Sequence, residues 1–507
     1  MTDTDTAEPR AADASEAGSR TGREHLDVLI IGGGLSGIDA AHHMVTDCPW
    51  ASFAVFESRD RVGGTWDLFR YPGIRSDSDM FTFSYPWRPW PVERTIGRGE
   101  EIREYIEDTA REDGTLSKVR FRHRVVRAEW SSDDSRWTVS AERLGDDGEA
   151  VESFELTAQF IVSCTGYYRY DRGYLPDWEG MDDFEGEIVH PQDWPEDIDL
   201  AGKRVVVVGS GATAVTLVPE LAKLGAKVTM LQRSPTYMIS LPTTNLPTAV
   251  LSRVLPRWIR GDVLRWQYVA MTLGLYQLSR HQPWLVKNLL RAGLRLQLPA
   301  GFDIDRHFRP EYEPWDQRMC VVANGDLFAA IRRGEVDMVT DHIERFTPTG
   351  LELGSGETID ADVVVTATGL DILIGGGTEL FVDGDKVDPA TRLTYKGTML
   401  DGVPNMAMVI GYANASWTLK SDLTCGFVAR VLNHMRDAGV TQVTAVNHGG
   451  EVADGNLMGL TSGYIVRADD RLPRQGRSYP WRNHQNYLKD FRALRGSDVV
   501  DDVLEYA

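Results

Sequence analysis

Cysteine is scarce in this chain. Its 507 residues include four, Cys48, Cys164, Cys320 and Cys425, each more than a hundred positions from the next. No CxxC or CxxxxC occurs and no His/Cys group has zinc-ligand spacing, which excludes a local metal centre and a dithiol redox pair. Disulfide scaffolding is excluded with them, so a reducing, cytoplasmic setting and no metal are expected. Positive charge is also short: 54 Lys and Arg stand against 75 Asp and Glu, a net charge of −21. So acidic a balance argues against nucleic-acid binding. No apolar run approaches the roughly 18 residues of a membrane-spanning helix. Residues 1–24 hold almost nothing large and apolar; they lack the core of a signal peptide and read as a disordered tail.

What is present is a duplicated pattern. Val28-Leu29-Ile30-Ile31-Gly32-Gly33-Gly34-Leu35-Ser36-Gly37 and Val205-Val206-Val207-Val208-Gly209-Ser210-Gly211-Ala212-Thr213-Ala214 each join a β-branched run to a helix-like stretch through glycines, with their first glycines 177 residues apart. In such a dinucleotide fingerprint the first glycine makes the tight turn and the second lets the backbone approach a pyrophosphate. The third position, Gly37 or Ala214, allows close packing of helix on strand. The pyrophosphate then rests on free N–H groups where the helix begins.

The residues that follow separate the two ligands. Twenty positions after Gly37, the strand Phe53-Ala54-Val55-Phe56 ends in Glu57. A carboxylate there accepts from a ribose 2′-OH and repels a 2′-phosphate, so the first site should hold FAD or NAD. After the second fingerprint, Val228-Thr229-Met230-Leu231-Gln232 ends in Arg233-Ser234, a guanidinium and a hydroxyl suited to the 2′-phosphate of NADPH. Two nucleotides in one chain imply electron transfer between them. Without a local cysteine pair, a reduced flavin needs another acceptor, and O₂ is the obvious one.

These patterns predict an α/β fold: two interleaved Rossmann-like dinucleotide-binding domains with a helical insert. The runs Phe160–Gly166 and Asp362–Gly369 end alike, as two crossings between domains would. The expected division is 25–165 plus 370–430 for the FAD domain and 166–369 for the NADPH domain, with 431–507 packing on the FAD domain. The insert, 245–300, holds Trp258, Trp266, Tyr268, Tyr276 and Trp284, eight Lys or Arg, and Asp262 as its single acid. Such a basic, aromatic, helical segment on an acidic protein leaves two roles open, a lid over the nucleotide domain and a peripheral contact with a membrane surface.

Just ahead of the second fingerprint stands Phe184-Glu185-Gly186-Glu187-Ile188-Val189-His190-Pro191-Gln192-Asp193-Trp194-Pro195. It fits FxGxxxHxxxWP, and here the chain resembles the Baeyer–Villiger monooxygenases, class B flavoprotein monooxygenases. Gly63–Met80 and Trp315-Asp316-Gln317-Arg318 look nearly identical to the thioamide-activating mycobacterial branch of that family. The resemblance spans about residues 25–505.

It implies FAD and NADPH as cofactors, and insertion of one oxygen atom of O₂ beside a ketone carbonyl to give an ester or lactone. Oxidation of sulfides or thioamides is implied as well. The alternative is a flavin-containing N- or S-monooxygenase with little ketone activity, a group that usually lacks the terminal Trp-Pro. By resemblance, Arg318 is the active-site arginine, a fixed positive charge for a negatively charged oxidant. Asp77 is the carboxylate that positions it, with Asp79 as the other choice. Gly64, Thr65, Trp66, Asp67 and Asp77 join Gly32, Gly34, Leu35, Ser36, Gly37 and Glu57 around FAD. Gly209, Ser210, Gly211, Ala212, Thr213, Ala214, Arg233 and Ser234 hold NADPH. Phe184, Gly186, His190, Trp194 and Pro195 form a connection that couples nicotinamide binding to domain movement. One position departs from the pattern: Gln317 stands where many members carry a lysine that reaches the 2′-phosphate, which leaves Arg233 as the main source of NADPH preference. The insert and Tyr412–Thr418 should shape a pocket for an apolar ketone or thioether.

Overall fold

The structure, a computed structural model, describes residues 23–507 except 93 and 245. Its α/β architecture rests on two main sheets. The first has a parallel heart. Strand Glu24–Ile31 lies between Phe53–Glu57 and the end of Ala150–Ser163, with Val119–Phe121 and Met406–Met408 outside them. The crossover between the first two strands is helix Leu35–Asp47. The 14-residue strand Ala150–Ser163 also has an antiparallel partner. Its beginning pairs antiparallel with Arg136–Leu144, which pairs in turn with His123–Ser131. Strand Glu379–Val382 then adds to that edge. Trp130 and Trp137, fully buried and edge to face at 5.6 Å, fill the face of this extension.

The second sheet is wholly parallel, in the order Val336–Thr340, Lys227–Gln232, Arg204–Val208, Val363–Thr366, Glu187–Val189. Its central strand reads Arg-Val-Val-Val-Val because both faces are covered. Val205 and Val207 meet the crossover helix Ala212–Lys223 through Leu217 and Leu221. Val206 and Val208 meet Phe184, Phe346 and Leu351. The chain thus leaves the first sheet after Ser163, builds the second from 187 to 366, and re-enters the first at Glu379.

Helix Trp417–Ala438 packs on Leu35–Asp47. Trp481, Tyr487, Leu494 and Leu504 from the last eighty residues enter the same core as Val28 and Ile30. The tail expected over 1–24 ends too late: Glu24 already pairs with Leu156, and Arg23 meets Glu155 at 2.5 Å. Hydrogen bonding to the long strand overrides the local polarity. The remainder of that tail, residues 1–22, lies outside the described residues. No helix among the described residues is long and apolar enough to cross a membrane.

Candidate active site

Both fingerprints make the turn their glycines suggest. Gly32 has φ +104°, and a Cβ there would stand 2.6 Å from the Cys164 carbonyl oxygen. A Cβ on Gly37 would be 1.8 Å from the Gly32 carbonyl, so helix and strand close on each other only with glycine at both places. Gly34 and Gly211 are the N-caps of their helices. A Cβ on Gly211 would have nothing within 4 Å, an open cradle of the kind a phosphate needs. Leu35 and Ser36 are buried at the first helix start, and Ala214 is fully buried at the second.

The two strand-end residues differ sharply. Glu57 is buried, and its carboxylate accepts from the N–H groups of Gly33 (2.7 Å) and Arg59 (2.8 Å). Burial pushes its pKa up against those bonds. Arg233 and Ser234 are exposed; Ser210 Oγ donates to the Ser234 carbonyl at 3.1 Å.

Residues 63–80 run across both fingerprints. Gly63 N–H donates to Gly33 O, and the Gly64 backbone lies against Gly34. Tyr71 lies near Thr213, and Gly73 abuts Glu220 on the helix of the second fingerprint. Arg75 pairs with Asp326 at 2.6 Å. Asp77 then meets Arg318, whose Nη2 donates to Asp77 Oδ1 at 2.7 Å. Asp79 is occupied differently. It caps helix Met80–Phe83, accepting from Thr82 N–H (2.8 Å) and Thr82 Oγ1 (2.6 Å), and burial raises its pKa to about 6. Thr65 lies near Tyr170, and Trp66 sits edge to face with Phe83 at 5.6 Å. Asp67, expected at the flavin, turns its buried carboxylate to three guanidiniums: Arg59 (2.6 Å), Arg70 (3.2 Å) and Arg61 (3.6 Å). A buried carboxylate needs such partners, and they tie the loop to the strand end at Glu57.

Around Arg318 stand three tyrosines that carry no motif in the sequence, Tyr167, Tyr168 and Tyr464. Burial works against the charge of Arg318, yet Asp77 and these phenols hold its pKa above the usual guanidinium value. Tyr167 stacks on Trp417 (5.3 Å), whose Nε1 donates to Ser36 Oγ at 2.8 Å. Contacts therefore run from the first fingerprint to Tyr167, whose phenol acts electrostatically on Arg318.

The loop before Arg318 is held from outside. Trp315 takes a left-handed φ of +72°, rare for a large side chain. Insert helix Arg257–His281 supplies Arg280 to Asp316 (2.6 Å) and Tyr276 to Trp315, and insert helix Pro283–Gln297 supplies Lys287 to Glu313 (2.7 Å). Tyr276, Arg280, Trp315, Ala413, Asn414 and Met458 line a cavity of about 220 Å³. The insert and the 412–418 segment meet there.

The fingerprint between the domains is built by close packing. A Cβ on Gly186 would stand 2.6 Å from the Asp362 carbonyl oxygen, and Phe184 is edge to face with Phe346. His190 follows strand Glu187–Val189. Its Nδ1 accepts from Gln192 N–H at 3.1 Å, and its ring faces the Gly369 backbone. Burial lowers its pKa. Trp194 packs into the core of the second sheet, and Pro195 follows, half-buried. Away from all this, Asp39, His43 and Asp422 bring ligand-type atoms together. Although burial opposes its charge, Asp422 and Asp47 raise the His43 pKa to about 10, so the imidazolium itself is the cation of this group.

The profile of the flavin-binding monooxygenase-like family matches residues 26–374. The chain belongs to that family. It is 48% identical over 485 residues to the FAD-containing monooxygenase EthA of Mycobacterium tuberculosis, covering 96% of this chain and 98% of the relative. It is 45% identical to the probable FAD-binding monooxygenase AlmA of Acinetobacter baylyi, over 95% and 96% of the two chains. Its fold is shared with an oxidized steroid monooxygenase bound to NADP (TM-score 0.73, 21% identity, 95% and 99% covered). An open cyclohexanone monooxygenase is as similar (TM-score 0.73, 20% identity, 96% and 100% covered). The protein is a class B flavoprotein monooxygenase.

Proposed function

We propose that this flavoprotein monooxygenase carries out a Baeyer–Villiger oxidation. A ketone, O₂, NADPH and a proton give an ester or lactone, NADP⁺ and water; sulfides and thioamides serve as softer alternative acceptors. The Arg318–Asp77 contact carries the reading. A carbonyl is attacked only by an oxidant that keeps its negative charge, and a permanently protonated guanidinium stabilises that charge. Asp77 orients the guanidinium and offsets the cost of its burial.

Other residues fall into supporting roles. FAD at the first fingerprint supplies the reactivity toward O₂. Glu57 fixes the glycine loop and offers its remaining lone pairs to a ribose. Arg233 and Ser234 receive the 2′-phosphate of NADPH. His190, against Gly369, links the crossing between the sheets to the nicotinamide end of the second site. The 220 Å³ cavity beside Trp315 receives an apolar ketone or thioether, the insert acting as its lid.

The insert also supports a peripheral membrane contact by its outer face. Trp258 is 81% exposed, Trp284 67% and Leu296 84%. Arg280, Lys287 and Arg291 turn inward to acidic partners, whereas Arg253 and Arg295 remain outside with the exposed apolar groups.

The deciding experiment is product analysis of FAD-loaded enzyme with NADPH and a linear ketone, with methyl phenyl sulfide in parallel. Ester matched to NADPH consumed supports the proposal. Sulfoxide without ester would replace it with N- or S-oxygenation. Hydrogen peroxide alone in both would make the protein an oxidase.

A further inference from the structure

The crossing at Gly369 lies beside the second fingerprint: a Cβ on Gly209 would stand 2.3 Å from the Ala367 carbonyl oxygen. A turn from the C-terminal part of the chain comes down on this place. It contains the short helix Gly463–Val466 and presents three side chains spaced three and four residues apart. Tyr464 lies near Tyr167 and Arg318. Arg471 donates to the Ile372 carbonyl and to Asp371, both at 3.1 Å. Between them lies Arg467. Its guanidinium sits 3.5 Å over the ring of Tyr174, and its Nη2 is 3.6 Å from where a Gly369 Cβ would be. Tyr174 is itself fixed, its N–H donating to Gly369 O at 3.2 Å and its carbonyl accepting from Thr368 at 2.6 Å.

The two arginines of this turn are not equivalent. Asp371 is taken by Arg471 and Arg169. Among the described residues no carboxylate stands at ion-pairing distance from Arg467 or from Arg233, and both are exposed. Stacking on Tyr174 occupies the flat face of the Arg467 guanidinium; Nη2 reaches the Leu370 carbonyl at a long 3.5 Å, and no carboxylate among the described residues occupies the in-plane edge that grips a phosphate. Arg467 and Arg233 are close enough to repel one another, and the open cradle at Gly211 belongs to the same fingerprint. Unpaired like charges converging on a glycine-rich turn form an anion site.

We propose that Arg467 binds a phosphate group of NADPH, supplying the second cation that Gln317 does not. The proposal rests on the assignment of the second fingerprint to NADPH. It also brings in a residue that lies outside the 26–374 stretch matching the family profile.

The test is calorimetric titration of the FAD-loaded protein with NADP⁺ and with NAD⁺, for the parent, R467A, R467Q and R233A, alongside KM values for NADPH and NADH. Loss of one charge-assisted contact should weaken NADP⁺ binding about tenfold in R467A and R467Q. A loss confined to NADP⁺ puts the guanidinium on the 2′-phosphate; an equal loss for NADP⁺ and NAD⁺ puts it on the pyrophosphate. Unchanged affinities in both Arg467 variants, with NADP⁺ binding still weakened in R233A, overturn the proposal and leave the NADPH assignment standing. Unchanged affinities in R233A as well overturn that assignment too.

Discussion

Arg318 and Asp77, 241 residues apart in the chain, meet through a 2.7 Å hydrogen bond between guanidinium and carboxylate. Each side chain remains about a third exposed, so the pair faces a space that a reactant can enter. Replacing Arg318 with alanine should lower ester formation by about a hundredfold or more, the scale of losing a fixed charge stabiliser. Asp77→Asn keeps the shape and loses the orienting charge, and should cost less. The check is ester formed per NADPH consumed. Ester at the parent rate in R318A would remove Arg318 from the chemistry.

The insert should matter to coupling more than to stability. Exposed ion pairs contribute about 1 kcal/mol or less each, so removing Arg280 and Lys287 together should barely move the melting temperature. It should loosen the Trp315–Arg318 loop, raise KM for the ketone and increase the peroxide released per NADPH. An unchanged KM and product yield would mean that the clamp on Glu313 and Asp316 does not serve the site.

Asp79 gives a pH-dependent signature. Its folded pKa, raised by burial to about 6, lies above the ordinary carboxylate value of 3.8. Between those values the folded state holds the proton more tightly than the unfolded state, so this group's contribution to stability falls as pH rises from about 4 to about 6 and is flat above. Asp79→Asn removes that dependence. The melting-temperature difference, parent minus variant, should therefore decline across this window. A constant difference would show that Asp79 is ionised in the fold throughout.

Trp258, Trp284 and Leu296 on the insert's outer face predict binding to anionic vesicles that weakens with salt. Changing all three to serine should reduce co-sedimentation several-fold. Absence of binding by the parent protein would leave the insert as a lid alone.

The balance between sequence and structure differs from place to place. Both glycine-rich turns were legible because such a turn is a local device: Gly32, Gly37 and Gly209 meet backbone that only a glycine admits, and Glu57 or Arg233 follows at a spacing set by one helix and one strand. The pairing of Asp77 with Arg318 was reachable only by resemblance, since neither residue lies in a periodic pattern that points to the other. The three arginine partners of Asp67 were not legible, because they depend on how the loop folds back.

Tyr167, Tyr464 and Arg467 had no signal at all, and Trp417 was marked only as part of a pocket-shaping segment. They come from a crossing, a helix start and a C-terminal turn whose proximity is created by tertiary packing. By itself, then, the chain's order of residues determined the two cofactor cradles and the α/β class, because both follow from backbone geometry over some thirty positions. Only the tertiary structure decided what surrounds Arg318 and Arg233, because those contacts join segments hundreds of residues apart through side chains that chemistry alone would allow almost anywhere.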